Sequence, residues 1–502
     1  MTARLSILVL MGAACAPQRV VQQSAVPEGS GVHIDTTAIR AHTRFLADDR
    51  LAGRATGSPG GEIAAVYIAS ACIGLGLTSV GGSYFQNVNL EEASIAAVGT
   101  EFTVTGASGS RAYAYPRSFL PNAGLAPPAG FAGPAVYGAT SDDLLAAGGS
   151  ALSGAVAVVG GALGRDADDS LKALGAVGLV QLVLDDGPYL LYVRSRGDSR
   201  LRLADSSIAR SFSTSLPSVV AGPDLSRRLL NGLPLGNRVT RLPDSVSVRV
   251  SFEGRPVKAN NVACLLPGTE PKLKDTVVAY TAHYDHLGVG IPDGKGDSIY
   301  NGFSDNAAGV AMLLSIAQAF GARGNRPLHS LLFLFFTGEE QGLLGSDYYA
   351  ARPLWPLARI KGVINLDAGA PPGRPWSWRI AGGDRQALGS LAQDVAADHG
   401  WSATTSPATP NSDYFPFVRS GVQAVFIVPG TGPYQGLTAD SSLALRRRWD
   451  HYHDPADEWA ADFPFAGLGR YAEYAYYIGR MLDLGKRERS TEPAPGAPRS
   501  PR

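Results

Sequence analysis

Apolar positions along the chain follow three successive rhythms. Between residues 34 and 90 they recur at helical spacing, with one apolar face over Ile39–Leu46 and a second, alanine-rich one over Ile63–Ile73. From about Glu101 to Phe252 they shorten into β-type runs: Phe102–Val104, Ala135–Tyr137, Ala155–Val159, Val177–Leu184, Ser218–Ala221 and Val246–Phe252. Gly, Pro and Asp punctuate these runs, and one helical stretch falls at Ser170–Ala176. From Glu253 to about Gly485 strands and helices alternate. Val262–Leu266, Val277–Thr281, Leu331–Phe336, Val363–Leu366 and Ala424–Val428 read as strands; Ala307–Phe320, Gly342–Tyr349, Arg385–His399 and Gly467–Leu484 read as helices. That alternation predicts an α/β fold, a mainly parallel sheet sandwiched by helices.

The expected organisation is a main domain made of residues 33–100 and 253–485, with residues 101–252 inserted as a separate β-rich domain. The insert holds neither His nor Cys, so it is expected to scaffold or control access rather than bind metal. Arg4, the apolar run Leu5–Met11 and Gly12-Ala13-Ala14-Cys15 have the shape of an export signal. A cysteine directly after small residues resembles a bacterial lipoprotein box, in which Cys15 carries the lipid. Residues 16–32 then read as a polar tether, and 486–502 as a Pro- and Ser-rich tail outside the packed body. An exported protein, periplasmic or anchored at the cell envelope, is the expectation.

At 502 residues the chain exceeds one ordinary domain, and 45% hydrophobic content suffices for a full core. Lys+Arg and Asp+Glu both number 44, so there is no basic surplus to attract nucleic acid. Membrane contact is expected only through Cys15. Cys72 and Cys264 stand far apart and are read as separately buried small hydrophobes rather than a bridge.

The chemistry gathers where apolar runs end. In an open α/β sheet, ligands bind beyond the carboxyl ends of the strands. His283 and Asp285 follow one strand, Glu339-Glu340 the run LLFLFFTG, and Asp367 a third strand. Asp305 precedes a long apolar helix, where the amide ends favour a carboxylate, and His453 lies in a Trp449–Asp457 loop cluster. Singly, each is more simply a cap, a turn or a solvated face. Together they supply two imidazoles and three carboxylates, the donor set for two hydrolytic zinc ions, with two further carboxylates left to act as base and orienter. Two adjacent cations need a bridging carboxylate, and Asp305 is expected to be it. His283 and Asp367 complete one metal position, Glu340 and His453 the other. Glu339 is expected to act as general base, and Asp285 to orient the His283 ring. Arg54 is read as an ion-pairing residue, and His286 and His451 as structural neighbours of the site.

HYDHLG, GFSDNAAG, TGEEQGLLGS, NLDA and YHDPADE, in that order, resemble the dizinc aminopeptidase family. That family includes bacterial leucyl aminopeptidases and, more distantly, glutamate carboxypeptidases and glutaminyl cyclases. The resemblance covers about Glu253–Leu484, and LADDRLAGRATGSPG is similar to the N-terminal part of family members. It implies a phosphorylase/hydrolase-like zinc exopeptidase fold and two Zn2+ per chain. His283, Asp305, Glu340, Asp367 and His453 are then the ligands, Glu339 the base and Asp285 the orienting residue. Residues 101–252 resemble the protease-associated (PA) domain inserted in many members.

The leading reading is an enzyme that removes N-terminal residues from peptide substrates. A carboxypeptidase or dipeptidase on the same scaffold would need a cationic pocket, for which Arg374, Arg379, Arg419 and Arg446–Arg448 are candidates. The pair His283 and Asp285 argues against a one-zinc cyclase. A non-catalytic binding protein would have lost ligands, and all five positions are filled. Tyr414 or Tyr434 is the candidate to stabilise a developing oxyanion.

Overall fold

Seven consecutive positions, Val277–His283, are all buried, and so are all seven of Ser330–Phe336. Strands this uniformly apolar must be covered on both faces, and the fold is built around them. The computed structural model describes residues 32, 34–121, 129–161, 163, 167–189, 199–208, 211, 216–231, 233 and 238–485. The signal segment with Cys15, the tether up to residue 31 and the tail from 486 lie outside the described residues.

In chain order the main elements are α1 (Thr36–Leu46), α2 (Pro59–Gly74), β1 (Phe85–Gly106), β2 (Val239–Leu266), β3 (Val277–His283), α3 (Ala308–Gly321), β4 (Ser330–Phe336), α4 (Leu344–Ala351), β5 (Ile360–Asn365), β6 (Ser377–Ala381), α5 (Ala387–Asp398), β7 (Ser402–Ser406), β8 (Ala424–Pro429), α6 (Ala439–Trp449) and α7 (Ala466–Leu484). The central strands run β4-β3-β5-β8, all parallel. Antiparallel β2 flanks β4, and β6 with β7 extends the far edge beyond β8. Helices lie on both faces. On one, α2, α3, α5 and α7 cover Val278, Tyr280, Phe333 and Phe335. On the other, Tyr349 of α4 and Phe417 cover Ala279, Leu334 and Phe336. Each large side chain so buried stabilises the fold by about 1.5–3 kcal/mol. Among the described residues no helix is long and apolar enough to cross a membrane.

Short half-polar strands escaped the hydrophobic pattern. At the sheet's edge β6 mixes buried with exposed positions and β7 has none fully buried, so neither forms an apolar run. Residues 101–252 are also less purely β than their rhythm suggests. Ala129–Gly138, Val156–Val159, Gly178–Leu182 and Ser218–Ala221 pair in parallel, with helices at Ser141–Ala147, Ala167–Ala173 and Pro223–Leu230. Their core is largely their own, formed by Phe102, Phe119, Val158, Val180 and Leu225 among others. No linker separates this region from the rest. β1 and β2 pair antiparallel from Phe85–Val262 to Thr105–Ser245, so two continuous strands carry the chain out and back.

The expectation of two independent thiols is overturned: Cys72 of α2 and Cys264 of β2 form a disulfide. Their 192-residue separation hid the fact that α2 packs directly on β2. Cross-links closing long loops constrain the unfolded chain most. The Cys72→Ser protein is expected to lose about 2–5 kcal/mol, read as a lower midpoint in urea with a steeper slope, because the uncrosslinked unfolded chain exposes more surface.

Candidate active site

Three of the four central parallel strands lead to polar side chains at one edge of the sheet. β3 delivers His283 itself, β4 leads through Thr337-Gly338 to Glu339 and Glu340, and β5 leads through Leu366 to Asp367. Asp305 arrives from the turn before α3, and His453 from the loop after α6.

These side chains converge on Asp305. His283 Nε2 lies 3.2 Å from Asp305 Oδ1 and 2.8 Å from Asp367 Oδ1. His453 Nε2 lies 3.2 Å from Asp305 Oδ2 and 3.1 Å from Glu340 Oε2. The two oxygens of one carboxylate thus face two separate imidazole–carboxylate pairs. His286 joins the second group, with Nδ1 2.7 Å from Glu340 Oε1 and 3.8 Å from Asp305 Oδ2. His283, Asp305 and Asp367 offer atoms close enough to share one ion, and so do His286, Asp305 and Glu340.

The electrostatics are those of crowded carboxylates. Burial, opposed by His283 but reinforced by Asp367, Asp413 and Glu340, holds Glu339 well above the usual carboxylate range. Burial also pushes Asp413 up to about 8. For Asp305 burial is outweighed by hydrogen bonds from His283 and His453, which hold it below that range. The His453 imidazole is raised to about 10 by its hydrogen bonds to Asp305 and Glu340. Nitrogen and oxygen donors in this ratio suit two divalent cations, whose charge would relieve the repulsion. The donor set therefore fits the expected metals.

A frame set by main-chain geometry holds Asp305 in place. Arg54 is fully buried, and its guanidinium donates to the carbonyls of Leu46, Tyr284, Asn301 and Gly302. The expectation of an ion pair for Arg54 is corrected: its direct partners are backbone oxygens that would otherwise be unsatisfied. Asp457 supplies the opposite half, accepting from the amides of Ser304 (2.9 Å) and Asp305 (3.1 Å). Carbonyls of the 301–302 segment go to Arg54 and amides of 304–305 go to Asp457. Gly302 permits the turn, because a Cβ at its φ of +60° would meet the His286 ring at 2.6 Å. The amide end of α3 is satisfied by Asn306 rather than Asp305, with Gly309 N donating to Asn306 Oδ1 at 2.9 Å. Asp305 is thereby left free of the capping role its position suggested.

Asp285 differs in detail from expectation. His283 Nδ1 lies 3.1 Å from the Asp285 main-chain carbonyl and 3.7 Å from its carboxylate. The carboxylate instead accepts from the Glu339 amide (3.2 Å) and Thr56 Oγ1 (2.9 Å), so it anchors the Glu339 turn. Ser412 donates to Asp367 Oδ2 and receives Asn365 Nδ2 at 2.7 Å. His451 bonds the Arg448 carbonyl and stays outside the cluster.

Tyr414 and Tyr434 are both buried, and the Tyr414 hydroxyl is turned away to donate to the Thr409 carbonyl. The phenol at the site is Tyr452, missed in the sequence although it precedes His453. It is 71% exposed and stacks on the His453 ring with centroids 3.8 Å apart.

Comparison with known proteins places this frame. Residues 261–478 match the model of peptidase family M28. A "Probable zinc metalloprotease" of Pyricularia oryzae is 35% identical over 122 residues, 24% of this chain and 22% of that protein. A "probable leucine aminopeptidase 2" of Aspergillus oryzae is 26% identical over 230 residues, 43% of this chain and 42% of that protein. The matched stretches thus span a quarter to under half of these relatives' length. An aminopeptidase structure from Aneurinibacillus sp. shares the fold over 89% of this chain and 94% of that one, with a TM-score of 0.51 and 18% identity.

Proposed function

We propose that this chain is an exported two-zinc aminopeptidase. The observation that carries the reading is Asp305, whose two oxygens face His283 with Asp367 on one side and His453 with Glu340 on the other. Zinc ions held by these five residues would polarise the scissile carbonyl and acidify a water. Glu339 takes the water's proton and returns it to the leaving amine. Asp285 fixes Glu339 through its amide and backs His283. Tyr452, at the exposed edge, donates its phenolic O–H to the carbonyl oxygen; in Tyr452→Phe, kcat is expected to fall about tenfold or more with unchanged zinc content.

The second ion has two candidate imidazoles. The single nitrogen of His453 approaches both Asp305 and Glu340, the arrangement of a ligand. His286 Nδ1 lies 2.7 Å from Glu340 but 3.8 Å from Asp305, closer to the arrangement of a residue that orients a ligand. Accordingly His453→Ala is expected to bind one zinc per chain and His286→Ala two, by elemental analysis after gel filtration. One zinc in His286→Ala would exchange the roles.

A cavity of about 100 Å³ opens beside the cluster, lined by Ser304, Ala368, Pro371, Tyr434, Trp449 and Arg446 among others. Arg446 is paired with Asp450 at 3.3 Å. Its place in this wall is what favours the second reading, a carboxypeptidase gripping a terminal carboxylate. Export is supported by the N-terminal pattern and by the Cys72–Cys264 bridge, which belongs to an oxidising compartment.

The test measures bound zinc and compares leucyl-p-nitroanilide with its N-acetylated form and with an N-blocked dipeptide. Two zinc per chain and turnover of the free amine only support the aminopeptidase. Turnover of the blocked dipeptide only would move the protein to the second reading. No zinc and no turnover would overturn both.

A further inference from the structure

One fully buried carboxylate has no part in the proposed chemistry. Asp347, in α4, accepts from Ser211 N at 2.7 Å, Ser211 Oγ at 2.6 Å and Arg419 Nη2 at 2.9 Å. The residue and its partners come from three separate parts of the chain. α4 begins four residues after Glu340. Arg419 ends the short helix Phe415–Arg419, which begins three residues after Ser412, the donor to Asp367. Ser211 belongs to the region read as the insert, beyond the strand Ser199–Leu203 that pairs with β1.

Further contacts bind the same three parts together. Next to Asp347, Ser346 Oγ donates to Asp413 Oδ1 at 2.5 Å, a second tie between α4 and the Ser412–Arg419 segment. From the other side, Arg352 pairs with Asp205 at 2.9 Å, and Ile208 is buried against Leu344 of α4. Anchored at both ends in this way, α4 fixes the turn that carries Glu339 and Glu340. The Ser412–Arg419 segment fixes Asp367 through Ser412.

We propose that Asp347 is a positioning residue through which the inserted region sets the geometry of the active site. Ser211 and Arg419 meet on its carboxylate, so the turn after β4 and the Ser412–Asp367 contact are held in register by a residue of the insert. A buried carboxylate is a stiff joint, because leaving it short of donors is strongly unfavourable. Small displacements at catalytic groups are costly to turnover and cheap to binding. The insert, on this view, is part of the catalytic frame. The inference rests on the peptidase reading for its kinetic consequence, but its structural consequence stands apart from activity.

The experiment uses the full chain loaded with zinc, comparing wild type, Ser211→Ala, Asp347→Asn and the double variant. Ser211 is partly exposed, so Ser211→Ala keeps the fold even if Asp347→Asn does not. Hydrogen exchange of amides 338–344 and 411–419 is read first. In Ser211→Ala their protection is expected to fall about tenfold while that of β3 is unchanged. With leucyl-p-nitroanilide, kcat is expected to fall about tenfold with KM within about twofold. In the Asp347→Asn background Ser211→Ala is expected to add nothing, because the shared joint is already lost. Unchanged protection at both segments would overturn the proposal, as would an undiminished Ser211→Ala effect in the Asp347→Asn background. Loosened segments with wild-type kcat would also overturn it. If the wild type itself has no peptidase activity, the peptidase reading fails and the exchange result alone decides this one.

Discussion

In the Glu339→Gln protein, both zinc ions stay bound and kcat falls by about 10²–10⁴. Glutamine matches glutamate in shape and keeps the main-chain contact from Glu339 N to Asp285, so the turn after β4 is undisturbed. It cannot take up the water's proton. Glu339 is not among the residues that face Asp305, so its loss removes no metal donor. KM is expected to stay within about threefold, since substrate contacts do not pass through this oxygen. Stopped assays over hours, with zinc measured on the same sample, check both halves. Wild-type turnover would remove Glu339 from the mechanism; loss of zinc would make it a ligand instead.

Asp305→Asn is expected to be the more damaging change, abolishing turnover through the metals themselves. An amide offers one oxygen and one N–H, so it can serve one imidazole–carboxylate pair and must repel an ion at the other. Zinc is expected to fall to one per chain or fewer. The carboxylates of Asp367, Glu339 and Asp413, already raised by mutual burial and repulsion, would lose the cations that offset them. Stability follows the metal: the melting temperature of wild type should rise on adding zinc and that of Asp305→Asn should respond less, because only an ion bound to the native state stabilises it. Two zinc ions in Asp305→Asn would show that this carboxylate does not bridge.

Much of this was legible along the chain because strand ends are local. An apolar run of seven residues that stops on a histidine announces both a buried strand and the edge where it surfaces. The same reasoning found Glu339, Glu340 and Asp367. What it missed is everything that depends on a partner hundreds of residues away. Arg54 looks like any surface arginine until Tyr284, Asn301 and Gly302 fold around it. Asp457 looks like one more acidic loop residue until its oxygens meet the amides on either side of the Ser304–Asp305 bond. Cys72 and Cys264 carry no spacing signal at all.

The sequence by itself determined the strand–helix alternation, the sheet edge where chemistry collects and the residue types gathered there, because hydrophobic period and strand termination are properties of neighbouring residues. Tertiary structure alone decided which oxygen faces which imidazole, which buried groups are satisfied by backbone, and that Ser211 reaches α4. Those outcomes depend on packing between distant segments, where hydrogen bonds form only after burial has brought the partners within reach.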